Sequence, residues 1–462
     1  MVMLALAAFL VSAAFEPIGL WFSAVLGYAL FLRRLRSAGS PVWSSLFFGF
    51  LVNAIVLHWS SKYVGALPWI LLSLLQAIFY APVGWVFKKT QSLRWAIFTI
   101  LICEELRARF PFGGFSWTRI AFSQVDSPLT PLVSYGGVLL LSFATLLLAL
   151  LFTHIRIRNT LIAFFVVLVS GFIPSNAKGA ESLSLIAIQG NTPSVGLEFN
   201  SRAKAVFDLH RDATQRLVKS NYDAIIWPEN AIDIDPRNYP EVATDIEQLT
   251  KELQTPLIAG VVLQENGHPA NASMLYGVDG QVETTYIKRY LTPFGEYMPL
   301  RGLAEIISPF AKSVNDFKPG DNFVAHTVSG KQISPIICYE IINDGLVREG
   351  ALNTGAFIVQ TNSATFANTA ESAQQLAITR IRAIEHSREI LSVSTVGISA
   401  FIDNNGVVKA QTAENVSTSL SGELGISSHR TWSDRLGGVA PLLTLLFSLF
   451  FAARRSSRKF AP

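Results

Sequence analysis

Apolar positions along this chain fall into two blocks that bracket a stretch of ordinary polar alternation. From the start to about residue 175, hydrophobicity is nearly continuous and is broken only by short polar turns. This pattern predicts seven helices, at about 2–15, 18–32, 42–59, 67–87, 92–106, 128–153 and 159–174, with an eighth apolar run at about 435–452. Several fall short of the roughly 20 residues that cross a bilayer comfortably, so flanking polar residues must share the crossing. The first run lacks a basic start and leads at once into further apolar runs, which predicts a retained helix.

Between the blocks the period changes. Short β-like runs at 184–188, 224–227, 257–262, 273–276, 282–287, 333–337, 357–360 and 390–393 alternate with amphipathic helices at 205–218, 242–253 and 372–386. Hydrophobic strands mixed with helices predict a layered α/β domain whose sheet is covered by helices. The expected organisation is a membrane domain over 1–180, a catalytic domain over 181–428, and a closing helix with a basic tail over 429–462.

Composition sharpens this division. The chain of 462 residues is 50% hydrophobic and 15% charged, against roughly 25% charged in an average soluble domain. Its net charge of +4 is modest, and its basic residues cluster beside apolar runs. That is the pattern of topology signals and argues against nucleic-acid binding. Arg33-Arg34-Leu35-Arg36, Lys88-Lys89 with Arg94, Arg156 with Arg158, and the tail from Arg454 to Lys459 all fall on one side if the spans alternate. The positive-inside rule then puts both termini in the cytoplasm and the 181–428 domain outside it. One cluster disobeys: residues 104–119 carry Arg107, Arg109 and Arg119 on the outer side. Two readings stand there. The loop is solvated, or Arg107 or Arg119 meets lipid phosphate with Phe112, Phe115 and Trp117 at the interface.

Only Cys103 and Cys338 are present, one in each region, so the soluble domain has no internal disulfide. Cys338 ends an apolar run at Ile333-Ser-Pro-Ile-Ile-Cys-Tyr-Glu340. Glu229 lies in Trp227-Pro-Glu-Asn230, and Lys288 in Tyr286-Ile-Lys-Arg289. Each alone has a plain explanation: an inert core thiol, a turn carboxylate, a solvated strand-end lysine. Together they make an acyl-transfer set. A thiol attacks acyl carbonyls only as thiolate. A partly buried carboxylate can take its proton, and a fixed ammonium stabilises the oxyanion that follows. No histidine pair has metal-type spacing, and no phosphate loop or dinucleotide fingerprint occurs.

These motifs, with Pro293-Phe-Gly-Glu-Tyr-Met-Pro299, resemble the Glu-Lys-Cys motifs of the nitrilase (carbon–nitrogen hydrolase) superfamily. The helix arrangement, Phe15-Glu-Pro17, Gly114-Phe-Ser-Trp117, Ser123-Gln124 and Gln189-Gly-Asn191 narrow the resemblance to the apolipoprotein N-acyltransferases, over essentially the whole chain. The resemblance implies eight transmembrane helices plus a nitrilase-like αββα sandwich. It makes Glu229 the general base, Lys288 the oxyanion stabiliser and Cys338 the nucleophile. Glu296 matches a further functional glutamate, and Tyr339 and Glu340 match residues flanking the nucleophile. One departure is plain: after Gln360-Thr-Asn362 this chain runs Ser-Ala-Thr-Phe-Ala-Asn368, where the family often has Asn-Asp-Ala-Trp-Phe-Gly.

The implied reaction takes an acyl chain from a membrane phospholipid onto Cys338 as a thioester. The chain then passes to the α-amino group of a diacylglyceryl-cysteine at the N-terminus of an apolipoprotein, in the bacterial plasma membrane and without cofactor or metal. A membrane-anchored amidase would use the same residues and give the acyl group to water. A transporter or receptor with a nitrilase-like binding module is the third class, and it predicts that Cys338→Ser leaves function intact. Residues 300–310, apolar and directly after the Glu296 motif, suggest either packing on the domain or a mobile lid that touches lipid.

Overall fold

The computed structural model of this chain describes residues 1–153, 181–195, 203–219, 222–307, 311–312 and 314–454, with Ile162 and Gly179 besides. The described residues divide into two compact units. One gathers the chain up to His58, from Trp69 onward in the amino-terminal region, and from Arg435 on; the other takes Trp59–Pro68 and the chain through Asp434.

The first unit is helical. Its helices are α1 (Val2–Ser12), α2 (Trp21–Arg36), α3 (Pro41–Val56), α4 (Ala66–Ile78), α5 (Ala81–Thr90), α6 (Leu93–Arg107) and α7 (Val133–Phe152). The carboxy-terminal helix Val439–Ala453 joins them, with Phe447 and Phe451 edge-on to Phe143 of α7. Two stretches, Ala66–Thr90 and Thr130–Phe152, are long and apolar enough to cross a membrane. Val2–Ser12, Pro41–Val56 and Val439–Ala453 are apolar but shorter. The run expected at 159–174 lies outside the described residues. The expected single helix at 67–87 is interrupted between Ile78 and Ala81, where Pro82 enters the first turn of α5 and cannot donate to the preceding turn. Gly49 lets α3 meet Tyr80 closely, since a Cβ there would lie 2.4 Å from the ring.

Neither reading of the 104–119 segment holds. Arg107 and Arg119 are 2% and 1% exposed, so they meet neither solvent nor lipid headgroups. Arg107 donates to the Thr118 hydroxyl at 2.7 Å and the Thr118 carbonyl at 3.0 Å, and lies 3.8 Å from Glu104. Arg119 pairs with Glu105 at 3.1 Å. Buried charge persists only when paired and hydrogen-bonded, and the Glu104-Glu105 pair at the end of α6 supplies the counter-charges. The rule-breaking arginines are thus internal, and only Arg109 reaches the surface.

The second unit is built on two six-stranded sheets. The first runs β12-β1-β2-β3-β4-β5 and the second β11-β10-β9-β8-β7-β6. In the first are β1 (Glu181–Gln189), β2 (Ala224–Ile226), β3 (Leu257–Glu265), β4 (His268–Tyr276), β5 (Val282–Ile287) and β12 (Thr418–Ile426). In the second are β6 (His326–Val328), β7 (Lys331–Ile337), β8 (Ala356–Thr361), β9 (Glu389–Ser394), β10 (Ala400–Ile402) and β11 (Val408–Gln411). Period-two alternation decides the faces. Leu183, Leu185 and Ala187 of β1 share a core with Ile333, Ile358, Leu391, Val393 and Phe401 of the other sheet. Ile186 and Ile188 turn the other way, onto Phe207 of α8 (Ala205–Leu217) and Val242, Ile246 and Leu249 of α9 (Pro240–Leu253). A short helix α10 (Arg301–Ile307) follows the first sheet. Helices α11 (Asp344–Asn353) and α12 (Glu371–His386) pack on the second sheet. The layers therefore run helix, sheet, sheet, helix, as the sandwich expectation required.

Four strands, β6, β10, β11 and β12, were not expected from the sequence, and the longest of them is β12. In Thr418–Ile426 only Leu424 is fully enclosed, yet the strand pairs antiparallel with β1 from Glu181↔Ile426 to Gln189↔Thr418. It brings the exit of the unit beside its entrance.

Candidate active site

Glu229, Lys288 and Cys338 stand just past the ends of β2, β5 and β7. Strand ends in a rigid sheet are where catalytic side chains can be presented without loop slack. Lys288 is 1% exposed, and its Nζ lies 3.3 Å from Glu229 Oε1 and 2.8 Å from Glu296 Oε2. Asn271 of β4 donates through Nδ2 to both carboxylates, at 2.6 Å to Glu229 and 3.0 Å to Glu296. The backbone of Thr292 holds Glu296 Oε2 at 2.8 Å. Gly260 is required here: a Cβ would lie 2.3 Å from the Pro228 carbonyl and 2.6 Å from the Glu229 Cα. The Glu229 turn therefore rests directly on β3, and Asn230 completes it at φ +55.

Cys338 takes φ +49 at the junction of β7 and a helical turn spanning Cys338–Ile342. It is partly exposed, and Gln375 of α12 donates to its Sγ at 3.8 Å. Several groups fix this turn. Glu340, fully buried, accepts from the Ile337 N–H at 2.9 Å, the Arg289 N–H at 2.8 Å, the Tyr290 N–H at 3.1 Å and the Tyr286 hydroxyl at 2.8 Å. It ties the nucleophile turn to the segment just after Lys288. Tyr339 is buried and stacks on Tyr290, with centroids 5.6 Å apart and planes 3° from parallel. Arg382 of α12, fully buried, caps the turn from behind through the Ile341 and Ile342 carbonyls. Gln360 of β8 donates to the Trp227 carbonyl at 2.7 Å and so links the two sheets next to Glu229.

The electrostatics favour a resting thiol. Burial first, then the Glu229 charge, push the Cys338 thiol well above its ordinary range, with Lys288 opposing. Burial alone would discharge Lys288, but Glu296 and Glu229 outweigh it and hold the ammonium charged. Burial raises the Glu229 carboxyl, Lys288 lowers it and Glu296 raises it further; the result is upward. A carboxylate reluctant to stay ionised beside a protonated thiol is placed to act as a base.

All six residues singled out from sequence take part in this arrangement. Sequence reasoning missed Asn271, Gln375, Arg382 and Gln360, polar residues whose burial emerges only once the sheets pack. The 300–310 segment forms α10 as far as Ile307, with Leu300 (64%), Leu303 (55%) and Ile306 (84%) exposed. Its last residues lie outside the described set.

Residues 185–434 match the family model described as Carbon-nitrogen hydrolase. The chain belongs to the carbon–nitrogen hydrolase family. Residues 7–151 match the model described as Apolipoprotein N-acyltransferase N-terminal domain, which marks this family member's helical part. Among similar proteins is an apolipoprotein N-acyltransferase of Mycolicibacterium smegmatis, 29% identical, with 97% of this chain and 84% of that protein covered. One of Azotobacter vinelandii is 27% identical, covering 99% of this chain and 96% of that protein. Among solved structures, a CN-hydrolase superfamily protein from Xanthomonas campestris is 18% identical with a TM-score of 0.40, over 57% of this chain and 97% of that one. The resemblance read from the motifs is borne out.

Proposed function

We propose that this chain is a membrane-embedded N-acyltransferase that moves an acyl chain from a phospholipid to the α-amino group of a diacylglyceryl-cysteine on an apolipoprotein. The observation that carries the reading is the Lys288 ammonium clamped between Glu229 and Glu296, with the Cys338 thiol in the same field. Glu229 takes the thiol proton, and the sulfur attacks the ester carbonyl of the donor lipid. Lys288 stabilises the oxyanion, and collapse expels the lysophospholipid alkoxide, which takes the proton back from Glu229. The thioester then yields to the acceptor amine, which forms the amide and returns Cys338 as a thiol. Amide formation from a thioester is downhill, so the cycle calls for no cofactor or metal. The names of the similar proteins support the acceptor class.

The same proposal has eight spans, both termini in the cytoplasm, the 181–428 domain outside it, and exposed Leu300, Leu303 and Ile306 facing acyl chains. Intact mass of protein purified from membranes tests the chemistry. A fatty-acyl increment that hydroxylamine removes, and that Cys338→Ser abolishes together with turnover, is the expected result. Free fatty acid as the sole product, with the acceptor peptide unmodified, would favour the amidase reading.

A further inference from the structure

One carboxylate near the sulfur has no part in the cycle above. Glu371 opens α12, four residues before the Gln375 that contacts Cys338 Sγ, so the two share a helix face. It is 4% exposed. Among the described residues it forms no ion pair; its carboxyl is bonded by the hydroxyls of Ser363 and of Ser372, the latter at 3.5 Å. Burial lifts it to about 7, and Glu414 and Glu229, both negative, raise it further. Ser363, Ser372 and Ser394 converge on Gly397, where a Cβ would lie 2.7–2.8 Å from all three hydroxyls. Among the charges that act most strongly on the sulfur are three carboxylates, Glu229, Glu371 and Glu296, and one ammonium, Lys288. A buried carboxyl in such company either keeps its proton or takes a cationic partner.

We infer that Glu371, with its surrounding serine hydroxyls, is the subsite for a primary ammonium: it binds the acceptor's protonated α-amine and takes its proton. The inference rests on the acyltransferase reading and deepens its second half. An α-ammonium loses one proton to the Glu371 carboxylate and becomes a neutral amine. Its nitrogen lone pair attacks the thioester carbonyl, the C–S bond breaks, and the second amine proton leaves through Glu229 to the departing sulfur. Glu371 then releases its proton to water. A donor phospholipid whose headgroup carries no amine, such as a phosphatidylglycerol, brings no ammonium and does not need it.

The test is Glu371→Gln in the full chain in detergent, followed in two half-reactions. Acyl-enzyme formation from a phosphatidylglycerol, read by intact mass, is expected to proceed at least as fast as in the wild type, because loss of one negative neighbour eases ionisation of the thiol, and it also reports a folded site. Transfer from the preformed acyl-enzyme to a diacylglyceryl-cysteinyl peptide is expected to slow about 100-fold. Release by hydroxylamine, largely uncharged at neutral pH, is expected to be unchanged. Glu371→Asp, which keeps the charge, is expected to recover part of the transfer rate. Equal transfer to peptide by variant and wild type overturns the inference. So does an equal slowing of hydroxylamine release, which would make Glu371 a scaffold for Gln375 and Cys338. Failure of the wild type itself to acylate would instead sink the acyltransferase reading, and this inference with it.

Discussion

Two of the places where the molecule buries charge differ in balance. At the end of α6, Glu104 and Glu105 meet Arg107 and Arg119, two charges against two, with Thr118 filling donor and acceptor sites. Around Cys338, three carboxylates share one ammonium. A balanced cluster has little left to offer a ligand, and its worth is to hold chain segments together. An unbalanced one keeps groups away from their ordinary protonation states, which is what proton transfer needs. Net charge within the buried cluster, more than burial itself, separates scaffold from chemistry here.

The largest break falls on the unbalanced side. Lys288→Met removes the ammonium held between Glu229 and Glu296, leaving the oxyanion unstabilised and the two carboxylates against each other. Acylation of Cys338 is expected to fall about 1000-fold, while the thermal midpoint in detergent moves far less than activity; unchanged acylation would place the oxyanion donor elsewhere. On the balanced side, Arg119→Leu removes the buried partner of Glu105, leaving it the exposed Arg109, and is expected to cost about 3 kcal/mol of stability. Loss of folded yield and a lowered thermal midpoint report it, and wild-type stability would show the network to be dispensable. A third prediction concerns pH. Glu229 is raised by burial and must be ionised to act as a base, so the acylation rate falls as pH drops through a limb above the ordinary carboxylate range. Below that limb the rate drops about tenfold per pH unit, and Lys288, held charged, adds no limb near neutrality. A limb at the value of a free carboxylate would contradict the assignment. The smallest effect sharpens the contrast at one residue. Glu105 also pairs with Arg109 at 2.9 Å, but that side chain is 61% exposed. Arg109→Ala is expected to cost less than about 1 kcal/mol, measured beside Arg119→Leu.

The legible part of this chain followed from periodicity. Strand β7 runs into Cys338 and β2 into Glu229, as the mostly apolar runs Ile333–Ile337 and Ala224–Ile226 mark buried strands. Strand β12 escaped because an alternating strand with serines and glycines on its outer face reads as loop until β1 lies beside it. Arg107 and Arg119 were misread for a related reason: a charge in sequence carries no sign of whether its partner has come inside with it.

What the sequence alone determined is the division into apolar helices and a strand-rich region, and the three motifs whose chemistry fits only together. These are local facts, set by hydrophobic period and residue type. The tertiary structure alone decided that Glu296 and Asn271 complete the Lys288 cluster, that Glu340 pins the nucleophile turn to the segment after β5, and that Glu371 is buried on serine hydroxyls, with no ion pair among the described residues. Each depends on which groups lose water together, and desolvation is a property of the packed sheets that no residue carries by itself.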